Sequence, residues 1–125
     1  MTQFSAGRYY VGDLRYVMHV EWDEVRNKFL ESCDSICTLN DGRSFWFSNT
    51  ACGDGIFEDL TKKRYPVDAG IIGIIATSDI TKNYLNNLNL GKVYEFKEPF
   101  DVSCTGGVFT FGDVVIDSNF DTSNK

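Results

Sequence analysis

One histidine is the only imidazole that this sequence offers for catalysis. His19 lies between Met18 and Val20. A Ser-His-Asp or Cys-His mechanism would have to use it, and the chain contains no Gly-x-Ser-x-Gly nucleophile motif. A single histidine between two apolar residues is typical of an ordinary surface or half-buried position. We therefore predict no catalytic residue.

Four cysteines could bind a metal or form disulfides, but their spacing favours neither. Cys33 and Cys37 are separated by three residues, which is within the loose spacing of zinc ligands. Cys52 and Cys104 stand alone, so no second close pair completes a four-thiolate site. We predict that the cysteines are small buried hydrophobic residues in a reducing compartment.

The segment richest in acidic residues and glycine places three carboxylates, Asp54, Glu58 and Asp59, within six positions. Such oxygens suit a hard cation, but no twelve-residue calcium loop is present. Strand alternation would also send Glu58 and Asp59 to opposite faces. A turn at Asp54–Gly55 is the simpler interpretation, and no metal or cofactor is predicted. Asp68 is the better candidate for a partly buried carboxylate held by turn amides.

The charge balance argues against a nucleic-acid groove. The chain has 12 Lys and Arg against 18 Asp and Glu, a formal charge of −6. Its longest basic run is Lys62–Arg64, whereas phosphate binding needs a basic face. The N-terminal residues do not resemble a secretory leader, and the apolar run Ala69–Ala76 is too short for a membrane helix. We therefore expect a cytoplasmic protein without membrane contact.

Hydrophobic periodicity predicts one amphipathic helix, over about residues 22–33. Its apolar positions recur at i, i+3, i+7, i+8 and i+11 from Trp22, and Asp23 and Glu24 fall in the first turn. A second short helix is predicted over about 79–90, ending at Gly91.

The remaining pattern is that of β-strands and turns. Aromatic and β-branched runs predict strands at 9–11 and 16–18, and Asp41–Gly42 marks a hairpin between 36–39 and 43–48.

Further along the chain, a second hairpin is predicted to join 56–59 to 65–68. The run 71–76 reads as a central strand buried on both faces, and 93–104 as one strand bent at Pro99.

These elements predict a mainly β fold of the α+β class. The expected architecture is an antiparallel β-sandwich, or a strongly curved sheet, with the helix packed on it. One domain spans 1–117, and 118–125 form a polar C-terminal tail that only Phe120 could anchor.

Aromatic and acidic side chains are the predicted binding residues, because some rings of alternating strands should face outward. The candidates are Tyr9, Tyr16, Trp22, Trp46, Asp13, Asp54, Asp59 and Asp68. A negative charge without a catalytic constellation favours a small non-enzymatic binding protein whose partner has a basic surface. The chain could also form homo-oligomers.

Two alternatives remain open at this stage. The chain could sequester a nucleotide-like signal through arginines, or hydrolyse a substrate with a metal held by the candidate aspartates. The arginines available for an anionic ligand are Arg8, Arg15, Arg43 and Arg64. It could instead be a minor structural component of a virion.

Four blocks of sequence carry a resemblance to a known family: Tyr10–Val17, Trp22–Glu24, Gly53–Asp59 and Tyr65–Gly73. Their order and spacing resemble those of a family of small phage and bacterial β-rich proteins. The resemblance implies a compact β-rich fold and a phage or mobile-element origin.

The same resemblance supplies no catalytic residue. The family often has cysteine at the position of Arg15 and tyrosine at that of Phe57. It leads to the hypothesis that the protein inhibits a bacterial host defence or metabolic protein, in the cytoplasm of that host, by protein-protein contact.

Overall fold

The computed structural model describes residues 2–28 and 36–122. Its β-strands, in chain order, are β1 (Thr2–Phe4), β2 (Gly7–Gly12), β3 (Cys37–Thr38), β4 (Ser44–Asn49), β5 (Gly55–Glu58), β6 (Arg64–Val67), β7 (Ile71–Ala76), β8 (Lys92–Phe96), β9 (Phe100–Thr105), β10 (Val108–Phe111) and β11 (Val114–Asp117). The helical segments are α1 (Trp22–Lys28) and the 3-10 segments Leu14–Tyr16, Thr77–Asp79 and Lys82–Leu90. The described part of the chain is mainly β, as predicted.

A five-stranded antiparallel sheet in the order β3-β4-β7-β2-β8 forms the middle of the molecule. The predicted central strand is confirmed: β7 lies between β4 and β2, and Ile71 to Ile75 are buried. Gly73 allows β7 to pack this closely against its neighbours, because an added Cβ would overlap the Trp46 carbonyl and would lie 2.7 Å from Cδ1 of Leu14.

A four-stranded antiparallel sheet, β1-β9-β10-β11, packs on one face of the central sheet. The Trp46 ring of β4 meets Phe109 and Phe111 of β10 edge to face, at 6.2 and 5.7 Å between ring centroids. Tyr9 of β2 meets Phe100 of β9 in the same way at 5.3 Å. The sandwich predicted from the sequence is therefore present. The two-stranded sheet β5-β6 contributes Phe57, Tyr65 and Val67 to the same core.

The opposite face of the central sheet is covered by α1 and the 3-10 segments, which makes a second core. The predicted helix over 22–33 is observed over Trp22–Lys28, and its last positions lie outside the described residues. The predicted helix over 79–90 is a 3-10 segment, Lys82–Leu90, preceded by Thr77–Asp79.

The predicted strand at 16–18 is wrong, because residues 14–16 form a 3-10 turn. The Asp13 side chain accepts a hydrogen bond from the Arg15 amide at 3.0 Å and so caps this turn. Tyr10 donates its hydroxyl to the Asp13 carbonyl at 3.1 Å. This local capping overrides the β propensity of Tyr16 and Val17.

Both predicted hairpins are confirmed, with Cys37 opposite Phe45 and Ile56 opposite Pro66. The single bent strand predicted over 93–104 is instead two strands in different sheets. β8 pairs with β2 in the central sheet, whereas β9 pairs with β1 and β10. The chain changes sheets at 97–99, and Pro99 lies in this connection.

Residues 118–122 pack against the sheets, and the chain beyond lies outside the described residues. Ser118 is buried and its hydroxyl donates to the Gly107 carbonyl at 2.6 Å, while the Thr122 hydroxyl donates to the Ile56 carbonyl at 2.8 Å. Phe120 is exposed, and its ring does not anchor the segment as expected. The hydroxyls of Ser118 and Thr122 hold the segment instead.

Candidate functional site

A groove of about 970 Å³ runs beside β8. One side is formed by β8 and the 97–99 connection, and another by the start of the β5-β6 loop at 59–61. The four-stranded sheet contributes residues from β9 to β11. The three sheets therefore all meet at this groove.

The groove follows the edge of β8 rather than one of its faces. Tyr94, Glu95 and Phe96 are consecutive and all line it. Side chains of a strand alternate between opposite faces, so a groove that touches three successive residues must pass along the strand's side. Among the described residues β8 is the last strand of its sheet and pairs with β2 alone, so its other edge is open there.

The four-stranded sheet meets the groove with its outer face. Thr110 lies opposite Ser103 and Val115 in the strand ladder, so the three side chains share a face, and all line the groove. Their neighbours Phe109 and Ile116 point the other way, into the core.

The groove is acidic and its carboxylates are available. Glu95, Glu98, Asp101 and Asp113 line it, and among the described residues none of their carboxylates makes an ion pair or a hydrogen bond. Lys97 is the single cationic side chain of the described lining.

An apolar strip lies among these charges. The Phe96 and Phe100 rings stack at 3.7 Å between centroids, and Pro99 and Val114 also line the groove. Leu60 at the margin is 75% exposed. The site thus combines apolar contact area with negative charge.

Asp59 closes one end of the groove with a saturated set of hydrogen bonds. Its Oδ2 accepts the hydroxyls of Tyr65 at 2.7 Å and Tyr94 at 3.0 Å, and the two hydroxyls are 2.6 Å apart. Its Oδ1 accepts the Thr61 amide and hydroxyl and the Lys63 amide, at 2.7 to 3.0 Å. Asp59 therefore holds the β5-β6 loop and fixes Tyr94 on β8.

These donors also set the ionisation of Asp59. Burial raises the pKa of its carboxyl, but the hydrogen bonds from Thr61, Tyr65 and Lys63 outweigh burial and leave the pKa below its ordinary value. Burial, together with the Asp59 charge, raises the pKa of Tyr94 to about 12. At neutral pH the tyrosines are therefore hydrogen-bond donors to the Asp59 carboxylate.

Asp13 organises a second polar cluster, against the other core. The side chain is completely buried, and its Oδ2 accepts the amides of Asp68 and Ala69 at 2.7 and 2.8 Å. Burial raises its pKa, against the lowering effect of these hydrogen bonds. Asp68 is exposed and accepts the Tyr16 hydroxyl at 2.7 Å. The turn amides that were expected to donate hydrogen bonds to the Asp68 carboxylate donate them to Asp13 instead.

The eight predicted binding residues do not converge on one site. Asp13, Asp68 and Tyr16 lie together: burial and the hydrogen bond to Asp68 raise the pKa of Tyr16, and the charge of nearby Asp54 adds to this. Asp59 is separate, at the end of the groove. Within residues 2–28 and 36–122, no three His, Cys, Asp or Glu side chains are grouped so as to hold a metal ion.

Two of the predicted surface rings lie in the core instead. Trp46 and Tyr9 are 3% and 7% exposed. The central sheet is covered on both faces, so alternation sends rings into two cores rather than into a core and solvent. Trp22 is half-buried beside a hollow of about 260 Å³ that Arg15 and Arg26 also line.

The other chemically versatile residues occupy ordinary positions. His19 is exposed and packs edge to face against Tyr84 at 6.2 Å between ring centroids. Cys37 is disulfide-bonded, which departs from the expectation of reduced thiols, while Cys52 and Cys104 are free. Cys52 is exposed, so it is not the buried residue expected.

Sequence reasoning missed the groove residues Glu95, Glu98, Asp101 and Asp113. One local signal was available: Glu98 breaks the apolar parity of 94–104 immediately before Pro99. Such a break marks the point where the chain leaves one sheet for the other.

Neither a scan against protein-family models nor searches of the curated proteins and the solved structures found a match to this chain. In the described residues no helix is long and apolar enough to cross a membrane.

Proposed function

We propose that this chain is a non-enzymatic binding protein whose groove takes a basic segment of a partner protein. The observation that carries the proposal is the set of four carboxylates, without partners among the described residues, around the stacked rings of Phe96 and Phe100. A basic segment complements the negative charge of these side chains.

The two components of the groove have different roles. Burial of Phe96, Pro99 and Val114 supplies the hydrophobic part of the affinity, at roughly 25 cal/mol per Å² before the costs of association. The carboxylates steer a basic partner toward the groove and disfavour acidic ones. Asp59 keeps Tyr94 and the loop in place, so that the groove exists before the partner arrives.

The nature of the partner is a further part of the proposal. The resemblance to phage and bacterial proteins supports a role as an inhibitor of a host defence or metabolic protein in the bacterial cytoplasm. The basic segment would then belong to that host protein.

The test compares two double variants, each of which neutralises two carboxylates and so changes the net charge equally. Asp101→Asn with Asp113→Asn removes two carboxylates of the groove, and Asp23→Asn with Asp54→Asn removes two exposed carboxylates elsewhere. The probe is an amidated eight-residue peptide of alternating Lys and Val, titrated into the wild type and both variants by NMR. We expect the groove variant to bind about tenfold more weakly, and the control within about twofold.

Salt gives a second readout of the same binding. Raising the salt concentration should weaken the peptide's binding to the wild type more than to the groove variant. The proposal would be contradicted if the two double variants lost affinity for the peptide equally, or if the peptide did not bind the wild type.

A second candidate function rests on the hollow beside Trp22. Among the described residues, the guanidinium groups of Arg15 and Arg26 have no carboxylate partner, although the chain is acidic overall. An aromatic ring with two arginines suits a small anionic ligand such as a nucleotide. Titration with a nucleoside monophosphate should shift the Trp22 indole signal if this candidate is correct. An Arg15→Gln variant should lose that shift.

A further inference from the structure

We propose that the partner segment binds in an extended conformation, as an added strand along the open edge of β8. This inference rests on the proposed function, since it specifies how a basic segment occupies the acidic groove. It concerns main-chain hydrogen bonds, whereas the proposed function concerns charge.

The outer edge of β8 leaves backbone groups unpaired among the described residues. β8 is the end strand of the central sheet, so alternate residues direct their N–H and C=O groups away from β2. In the described chain no backbone hydrogen bond outside the β2 ladder involves Lys92–Phe96. The groove lies beside the last three residues of the strand, Tyr94–Phe96.

The other edge strands of the two larger sheets are shorter than β8. β3 has two residues and β1 has three, which is short for strand addition. β11 has four residues and is already bridged, because Ile116 pairs with Asp59. β8 has five residues and contains no proline; Pro99 comes after the strand. It is therefore the longest of these edges and is not interrupted.

The two faces of β8 offer different side chains to an added strand. Tyr94 and Phe96 lie on one face of β8, and Glu95 lies on the other. Neighbouring residues on adjacent strands interact when they share a face. An apolar residue of the added strand would pack beside the rings of Tyr94 and Phe96, and a basic residue would pair with Glu95 on the other face. The segment should therefore alternate apolar and basic residues.

Charged residues on an edge strand can also serve only to prevent self-association. Lys92 and Glu95 would fit that role, and Lys92 lies 5.1 Å from the centroid of the Tyr94 ring. This explanation does not account for the groove beside the edge. It predicts that no extended peptide binds there, so the experiment distinguishes the two.

The experiment modifies the ligand and leaves the protein intact. The alternating Lys and Val peptide is compared with one version N-methylated at every Lys and another at every Val. In an added strand one of these two sets of N–H groups faces β8 and the other faces solvent. We expect one methylated peptide to lose at least about tenfold in affinity, and the other to stay within about threefold of the parent.

Hydrogen exchange on the protein provides the second measurement. Saturating peptide should slow alternate amides of Lys92–Phe96 by about tenfold or more, while amides of β3, at the opposite edge of the sheet, stay unchanged. If the parent peptide binds but both methylated versions bind equally well, or lose affinity equally, strand addition is wrong and the acidic-groove proposal stands.

Two further outcomes would overturn the inference in different ways. If the parent peptide fails to bind at low salt, both the proposed function and the strand addition fail. If β8 amides are already protected without peptide and the protein sediments as a dimer, the occupant of this edge is a second copy of the chain.

Discussion

Asp13 and Asp59 are both buried carboxylates that hold loops together, yet their pKa values shift in opposite directions. Asp13 accepts three backbone amides and its pKa is raised. Asp59 accepts two amides and three hydroxyls and its pKa is lowered. Burial opposes ionisation at both sites. Asp13 is the more deeply buried of the two and has fewer donors, so the balance between burial and donors decides whether each charge stabilises the fold.

The largest effect should come from Asp59→Ala, because it leaves two amides and three hydroxyls without their acceptor. We expect a loss of about 3 kcal/mol in the free energy of unfolding, measured by urea denaturation. The groove should be lost with it, since Tyr94 and the 59–63 turn both depend on this carboxylate.

Asp13→Ala should destabilise the protein less, by about 2 kcal/mol, because three amides lose their acceptor while an unfavourably buried charge is removed. The Asp13→Asn variant sharpens the comparison: it keeps an acceptor oxygen without the charge and should cost about 1 kcal/mol. A larger loss for Asp13→Ala than for Asp59→Ala would reverse the interpretation of the two sites.

The pH dependence of stability should separate the two carboxylates by sign. The folded pKa of Asp59 is below its ordinary value of 3.8, so its stabilisation is complete above 3.8 and is lost as the pH falls through the folded pKa. The folded pKa of Asp13 is above 3.8, so its contribution is complete below 3.8 and is lost as the pH rises through the folded pKa.

Urea denaturation between about pH 3 and pH 7 measures this difference. Relative to the wild type, Asp13→Asn should make the loss of stability on acidification steeper, because Asp13 opposes that loss. Asp59→Asn should make it shallower below about pH 4. The same change of slope in both variants would mean that the two pKa values shift in one direction.

Of the two tyrosines that donate to carboxylates in these clusters, the exposed one should give the smallest effect of all. Tyr65→Phe removes a buried donor to Asp59 and should cost about 1.5 kcal/mol. Tyr16→Phe removes an exposed donor to Asp68 and should cost less than about 0.5 kcal/mol, because water replaces the hydroxyl. If the two variants lost equal free energy of unfolding, the exposure of the hydrogen bonds would not determine their contribution to stability.

Local patterns predicted the elements that depend on short stretches of sequence. Asp41–Gly42 marked the hairpin at β3 and β4, and the apolar run of β7 marked the central strand. In both cases one turn or one run contains the whole physical cause.

The candidate site depends on contacts that no local pattern contains. Tyr94 reaches Asp59 across 35 positions of sequence, and the groove exists because β8 and β9 belong to different sheets. Alternation predicts two faces for each strand but does not say what covers them. This is why Trp46 was predicted at the surface and lies between two sheets.

The crossing at 97–99 joins the end strand of the central sheet to a strand of the four-stranded sheet within three residues. That short span leaves little freedom for one sheet to slide over the other without moving the wall of the groove. A ligand bound against this wall would contact both the central sheet and the four-stranded sheet and so restrict their relative movement. A ligand in the groove should therefore raise the thermal midpoint of unfolding of the whole domain, because it binds the folded state and not the unfolded one.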